Sequence, residues 1–210
     1  MTRTGSPAAH PKWCARRYQP VSHARRQTFT GMVYMKIGIV SDTHKNRDML
    51  EEVTTWLIQK QRVTTLYHLG DDYDDVAELG EQFSELLQIP GIYDPRYKSG
   101  ELPAKQTEVI FGLTILLVHS LDKDATRDDI HHSDIILHGH THKQELRLED
   151  GKLFFNPGHL KGPLDKNMPP SFGILSIQDN EVSAAIYNLN FKTVHSLDMI
   201  RSESGLYRAR

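Results

Sequence analysis

The sequence predicts an α/β fold in which two β-sheets pack face to face and helices cover the outer surfaces. Three observations lead to this prediction. The first half of the chain alternates apolar strand patterns with amphipathic helix patterns, which is typical of parallel strands. The second half consists mostly of short strands joined in hairpins, which indicates antiparallel pairing. The length of 210 residues suits one domain with a real core.

The regular pattern begins at Met35. The β-branched run at 36–40 predicts a buried strand, and a helix is expected over 47–60 because its apolar residues fall on one face. A second strand is expected over 64–69 and a second helix over 74–87. This order implies that the first two strands lie parallel.

The second half changes to shorter, strand-like segments. Asp150-Gly151 is a strong turn signal and predicts a hairpin between the strands on either side of it. A second hairpin is expected over Asp179-Asn180. Strands are predicted at 108–111, 113–119, 134–138, 144–148, 152–156, 173–177 and 181–189, with a short helix at 126–131.

The composition is that of an ordinary globular protein, with 38% hydrophobic and 25% charged residues. No apolar run approaches the roughly 18 residues that a membrane span needs, so we expect no membrane partner. Cys14 is the only cysteine, which excludes an internal disulfide and favours a reducing compartment. We therefore expect a cytoplasmic protein.

Residues 1–34 differ from the rest of the chain. They carry six basic residues, no acidic residue and no helical or strand periodicity. A disordered leader is the expectation we prefer here, although the composition would also suit a transit peptide. We place the folded domain at 35–200 and a polar tail at 201–210.

The charge is unevenly distributed between the leader and the body. The formal net charge is −2, so a leader of +6 leaves the body at −8. An acidic body is a poor binder of nucleic acid, and an anionic substrate needs a local positive centre such as bound metal ions. We expect a small phosphorylated substrate rather than nucleic acid as the partner, and the sequence leaves open whether the chain forms a homo-oligomer.

Aspartate and histidine residues fall at the ends of four predicted strands. Because sites in open α/β sheets form beyond the carboxyl ends of strands, we expect these side chains to converge in one cleft. The six candidate metal ligands are Asp42, His44, Asp71, His119, His140 and His142.

Carboxylate and imidazole together suit borderline divalent cations such as manganese, nickel, iron or zinc. One carboxylate can bridge two cations, and Asp71 is the best candidate for that position. Two cations about 3.5–4 Å apart can hold a shared hydroxide and clamp a phosphoryl group. The sequence therefore favours hydrolysis of a phosphoester by a metal-bound hydroxide.

Several short motifs resemble those of the calcineurin-like metallophosphoesterase superfamily. They are Asp42-Thr43-His44, Gly70-Asp71-Asp72, His119 and Gly139-His140-Thr141-His142. Together with Asn156-Pro157-Gly158, they look like the small phosphodiesterase branch that has no cap domain. The resemblance covers residues 35 to about 190. It implies that the protein hydrolyses a small phosphodiester by attack of a metal-bound hydroxide.

The resemblance implies a four-layer αββα sandwich of two mixed β-sheets flanked by helices and a site for two divalent metal ions. It implies that Asp42, His44 and His142 bind the first metal. It also implies that Asp71 bridges the two metals and that His119 and His140 bind the second. We further assign Asp71 and His119 a direct part in catalysis.

One segment departs from the family pattern. The family has a Gly-Asn motif whose Asn binds the second metal, but the matching stretch here places Ile92 at that position and Tyr93 after it. Isoleucine cannot bind a metal, so we expect a weakened second site. A histidine acid is also absent, so the leaving group would be protonated by Tyr93, by water or by no group at all.

Two other functions remain open. A scaffold whose chemistry has decayed, similar to the retromer scaffold subunit of eukaryotes, would agree with Ile92 but not with six intact ligand residues. A nuclease acting on polymers would need a basic groove, and the net charge of −8 on the chain after residue 34 disfavours this function.

Overall fold

The structure, a computed structural model, describes residues 27–29 and 32–209. Its helices are α1 (Arg47–Gln59), α2 (Pro95–Ser99), α3 (Leu121–Asp124) and α4 (Arg127–His131), with a 3-10 helix at Tyr73–Leu79. Its strands are β1 (Gln27–Phe29), β2 (Met32–Val40), β3 (Thr65–His68), β4 (Glu85–Gln88), β5 (Lys105–Ile110), β6 (Leu113–Val118), β7 (Ile135–Leu137), β8 (Glu145–Glu149), β9 (Lys152–Asn156), β10 (Ser171–Gln178), β11 (Glu181–Asn188), β12 (Thr193–Ser202) and β13 (Gly205–Arg208).

The strands form two mixed sheets. The first sheet has the order β13-β12-β11-β10-β2-β3-β4, with β1 paired to the start of β2. Within it, β2, β3 and β4 are parallel and the other pairs are antiparallel. The second sheet has the order β5-β6-β7-β9-β8, in which β6, β7 and β9 are parallel.

The core lies between the two sheets and is made of alternate residues from facing strands. Ile37 and Ile39 of β2 belong to one buried cluster with Ile115 and Leu117 of β6. Because side chains alternate across a strand, one face of each sheet faces the other sheet and the opposite face is left for the helices.

The helices cover the two outer faces. Val53 and Leu57 of α1 pack with Leu66 on the first sheet. Leu121 of α3 and Ile130 of α4 pack against the outer face of the second sheet. The result is the expected four-layer αββα sandwich, and in the described part of the chain no helix is long and apolar enough to cross a membrane.

The second predicted helix, 74–87, is wrong in most of its length. A short 3-10 helix ends at Leu79 and the chain then enters β4, which pairs in parallel with β3. The apolar residues Val76 and Phe83 are buried in one cluster with residues of α1, as the predicted apolar face implied. They do not, however, belong to one continuous helix. Pairing with β4 satisfies the backbone groups along one side of β3, which a helix could not do.

The sheets also extend beyond the predicted domain of 35–200. β12 runs to Ser202, and β13 returns along it from Gly205 to Arg208, so most of the predicted tail is strand. Leu206 of β13 is buried in the core between the sheets, and this burial stabilises the packing of β13 on the sandwich. At the other end, β1 and the start of β2 lie within the predicted leader, whose residues 1–26 fall outside the described residues.

Candidate metal centre

The loops that follow β2, β3, β6 and β7 meet at one edge of the sandwich. The Asp42 amide donates to Gly70 O at 2.6 Å, which joins the loops after β2 and β3. The Gly139 amide donates to His119 O at 3.0 Å, which joins the loops after β6 and β7. The His140 amide donates to Asp42 Oδ2 at 3.0 Å and connects the two sheets.

Four of the predicted ligand residues have the backbone conformation of a turn rather than of an extended segment. Asp42 and His44 have φ values of 52° and 46°, and His140 and His142 have 67° and 64°. These left-handed conformations are rare for residues other than glycine and are often found at functional sites. Each pair of residues two positions apart is therefore brought together by a turn, and not by the side-chain alternation of an extended strand.

Four of the predicted ligands form one compact group. One ligand atom from each of Asp42, His44, Asp71 and His142 lies within 4.8 Å of all the others. His142 Nε2 is 3.1 Å from Asp42 Oδ1, and His44 Nε2 is 2.8 Å from Asp71 Oδ2. Two imidazole nitrogens and two carboxylates directed at one point are a suitable donor set for a divalent cation.

The remaining two predicted ligands lie on the other side of Asp71. His119 Nε2 is 2.9 Å from Asp71 Oδ1, and the His140 ring centroid is 5.1 Å from that of His119. Asp71 thus presents Oδ2 to His44 and Oδ1 to His119. A carboxylate between two sets of ligands has the arrangement that a bridging residue requires.

Several polar atoms of the site are left without a hydrogen bond. Among the described residues, Asp42 Oδ1, Asp71 Oδ1 and His119 Nε2 are buried and make no well-aligned hydrogen bond, although His142 Nε2 lies 3.1 Å from Asp42 Oδ1 and His119 Nε2 lies 2.9 Å from Asp71 Oδ1. An unsatisfied buried polar atom costs about 1–3 kcal/mol, so three of them in one cluster require an explanation. Cations bound between these atoms would satisfy all three, and the residues present therefore fit a metal centre.

The electrostatic environment keeps Asp71 ionised. Burial alone would raise the pKa of Asp71, but the close contacts with His119 and His44 outweigh burial and hold the pKa well below its ordinary value. Burial lowers the pKa of His140, and the neighbouring His119 lowers it further. An ionised carboxylate and a neutral imidazole are the forms that bind metal.

Two other histidines are held closer to the protonated form. Burial favours the neutral ring of His119, but Asp71 and Asp42 raise its pKa above the ordinary value. The pKa of His142 is raised against burial by Asp42 and Asp165. A cation must displace these protons, so metal binding should weaken as the pH falls.

Residues outside the ligand set hold the loops in place. Asp75 of the 3-10 helix accepts hydrogen bonds from Thr43 Oγ1 at 2.6 Å and from the Lys45 amide at 2.8 Å. Asn156 Nδ2 donates to Gly139 O at 2.9 Å and to Thr141 Oγ1 at 3.1 Å. Each bond fixes the backbone next to a ligand residue, so the loops are preorganised.

Two residues near the site were not predicted from the sequence. Asp165 Oδ2 lies 2.5 Å from His142 Nδ1, and the His159 ring centroid is 5.4 Å from that of His142. Asp165 lies in an irregular loop between β9 and β10 with no motif around it. The Asn156-Pro157-Gly158 motif was the only signal near His159, and it did not distinguish a site residue from a turn residue.

The segment that departs from the family pattern lies beside Asp71. The Gly91 amide donates to Asp71 O at 3.0 Å, and a Cβ added at Gly91 would lie 2.4 Å from Asp71 Oδ1. Ile92 follows with only 6% of its surface exposed, so a buried apolar side chain occupies this position. Tyr93 is 71% exposed and lines a cleft of about 970 Å³ together with His44 and Asp71.

Residues 35–180 match the model of the calcineurin-like phosphoesterase superfamily domain. The match spans more than half of the chain, and the protein belongs to this superfamily.

Solved structures of small proteins share the fold. Vacuolar protein sorting 29 from Cryptosporidium parvum is 20% identical, with a TM-score of 0.63 over 80% of this chain and 99% of that one. YfcE, a phosphoesterase from E. coli, is 19% identical, with a TM-score of 0.59 over 78% and 98%. An archaeal phosphodiesterase is 24% identical, with a TM-score of 0.51 over 69% and 99%.

Proposed function

We propose that this protein is a metal-dependent phosphodiesterase that hydrolyses a small phosphodiester. The observation that carries the proposal is the position of Asp71 between two groups of ligand residues, with one carboxylate oxygen directed to each. Membership of the phosphoesterase superfamily and the likeness to an archaeal phosphodiesterase support it.

The ligand residues divide into two sets with Asp71 in common. Asp42, His44 and His142 would hold one cation, and His119 and His140 would hold the other, from among manganese, nickel, iron and zinc. Two cations, when bound, activate water and neutralise the charge that develops on the phosphoryl oxygens. The chain itself orients these ligands, because each lies in a loop fixed by hydrogen bonds to its neighbours.

The chain offers few side chains that could protonate the leaving group. Ile92 offers no donor atom, and Tyr93, an exposed residue that lines the cleft, is the candidate acid. Without a histidine acid, esters with good leaving groups such as aryl oxides should react fastest.

The proposal is tested by turnover of bis(4-nitrophenyl) phosphate with added manganese or nickel. Asp71→Asn should lower kcat/KM by at least about 100-fold, the cost of losing one strong electrostatic stabiliser. Asp74→Asn is the matched control, because Asp74 lines the same cleft but is exposed and paired with Arg96. If no divalent ion gives turnover and Asp71→Asn equals the control, the proposal is wrong.

A second candidate function is a scaffold that retains the fold without turnover. Ile92 at a ligand position and the likeness to vacuolar protein sorting 29 favour it. Three unsatisfied buried ligand atoms weigh against it, because a site released from selection for metal would be expected to lose such costly groups. Metal binding without turnover of any phosphoester would favour the scaffold.

A further inference from the structure

We propose that Asp165 is a positioning residue that orients His142 for one of the two metal sites and not for the other. The inference rests on the proposed function, since it assumes that His142 binds a cation. Asp165 belongs to the segment 157–170 between β9 and β10, which we call the strap. The strap crosses the site and contacts ligand residues from both sheets.

The two ring nitrogens of His142 have different partners. Nδ1 lies 2.5 Å from Asp165 Oδ2, and Nε2 lies 3.1 Å from Asp42 Oδ1. A neutral imidazole carries one proton, so donation from Nδ1 to Asp165 leaves the Nε2 lone pair directed at the ligand group. A carboxylate behind a ligating histidine also makes the ring a stronger ligand.

Asp165 is itself held in a fixed position. Lys161 Nζ contacts Asp165 Oδ1 at 2.8 Å, so both carboxylate oxygens have partners. The backbone of Asp165 exchanges hydrogen bonds with Met168 at 3.0 and 2.8 Å, and His159 Nε2 donates to Met168 O at 3.0 Å. The strap is therefore folded onto itself around the Asp165 side chain.

The strap is also attached to the other sheet at the first ligand. The Leu160 amide donates to Ser41 O at 3.3 Å and Asp42 O at 3.2 Å, and Leu160 is fully buried. The strap thus joins Asp42, which follows β2 of the first sheet, to His142, which follows β7 of the second. Both residues belong to the same compact ligand group.

His119, which belongs to the other predicted metal site, is oriented by a different contact. His119 Nδ1 donates to Leu69 O at 2.6 Å, so its tautomer is set by backbone and not by the strap. Loss of Asp165 should therefore weaken one metal site and leave the other unchanged. A general structural role of the strap would instead weaken both.

Calorimetric titration of the metal-free protein with manganese tests this selectivity. In a His140→Ala background, which impairs the second site, Asp165→Ala should weaken binding by about 10–100-fold, the usual cost of losing such a partner. In a His44→Ala background, Asp165→Ala should change binding by less than about twofold, within the scatter of independent sites. Asp128→Ala, which removes an exposed acid from α4, is the charge-matched control.

Two conservative variants separate orientation from folding. Asp165→Asn keeps an oxygen that accepts from Nδ1, so it should lose less affinity than Asp165→Ala. Lys161→Met releases Asp165 Oδ1 and should cause a smaller loss at the same site only. In the zinc-loaded protein, nitrogen NMR should show His142 protonated at Nδ1, and this proton should exchange faster with solvent in Asp165→Ala because it has lost its acceptor.

The possible failures are distinguishable. A His142 ring protonated at Nε2 in the zinc-loaded protein, or equal losses in both backgrounds, would overturn the role of Asp165. If the unmodified protein binds manganese and turns over substrate while Asp165→Ala binds equally well, only this inference is wrong. If the unmodified protein binds no metal at all, the proposed function fails together with the inference.

Discussion

At the scale of single residues, Asp71 and its surroundings decide what the site can do. One carboxylate oxygen faces His44 and the other faces His119, so both ligand groups depend on the same side chain. Gly91 touches Asp71 from the loop after β4, and no larger residue fits there. Ile92, next in the chain, is the one position in this neighbourhood where a ligand of the family pattern is missing.

Ile92→Asn should restore a ligand for the second metal. We expect tighter binding of the second cation and a severalfold rise in kcat/KM, both measured by manganese titration and turnover of the nitrophenyl diester. In the metal-free protein the buried amide lacks a partner and should cost about 1–3 kcal/mol of unfolding free energy. Ile92→Val is the control, and equal behaviour of the two variants would show that position 92 does not face the metals.

The six candidate ligand residues could be selected from the sequence because each follows a strand whose apolar pattern is clear. Asp42, Asp71 and His119 could be selected with the single rule that sites form at strand ends. Asp165 could not be predicted, because its partner His142 lies 23 positions away and its loop has no periodicity. Only the folded strap brings the two side chains together, and no local pattern records that contact.

At the scale of elements, the segment from the 3-10 helix to α2 forms one wall of the cleft. Its apolar residues have helical spacing, so the sequence predicted a helix where β4 lies. The pairing of β4 with β3 depends on an open sheet edge, which is a property of the tertiary structure and not of the local sequence. The hairpin over Asp150-Gly151 was confirmed because its turn residues act locally.

Gly91→Ala should damage the site through the backbone of this wall. The added Cβ would lie 2.4 Å from Asp71 Oδ1 and 2.6 Å from Asp71 Cα, so Asp71 must move. We expect kcat/KM to fall by about 100-fold, the effect of a displacement near 1 Å at a reacting centre. Gly80→Ala is the matched control, because its Cβ would meet nothing closer than 3.6 Å. Equal activity of the two variants would contradict the geometry of this wall.

At the scale of the whole molecule, the two sheets also meet along their edge strands β4 and β5. Gln106 Nε2 of β5 donates to Gln88 O of β4 at 3.0 Å. Burial raises the pKa of Glu85 on β4, and burial together with Glu85 raises the pKa of Glu108 on β5. Two half-buried carboxyl groups therefore lie on the edge strands where the sandwich closes, and Glu85 raises the pKa of Glu108.

This pair should make stability depend on pH. A raised pKa in the folded protein means that this contribution to stability is present below the ordinary value of 4.5 and is lost as the pH rises through the raised value. Glu108→Gln should therefore raise the unfolding free energy at pH 7 and leave it unchanged near pH 4, in urea titrations with a chelator present. The exposed Glu101→Gln is the control, and a gain at pH 4 as large as at pH 7 would contradict the prediction.

We propose that six side chains from four loops converge on two cations that share Asp71. The most direct measurement is a crystal structure of the manganese-loaded protein with anomalous scattering. We predict two manganese peaks about 3.5–4 Å apart on either side of the Asp71 carboxylate. One peak should contact Asp42, His44 and His142, and the other should contact His119 and His140. A protein saturated with manganese that shows no peak at Asp71, or whose peaks do not contact these histidines, would show that Asp71 is not the shared ligand of a metal centre.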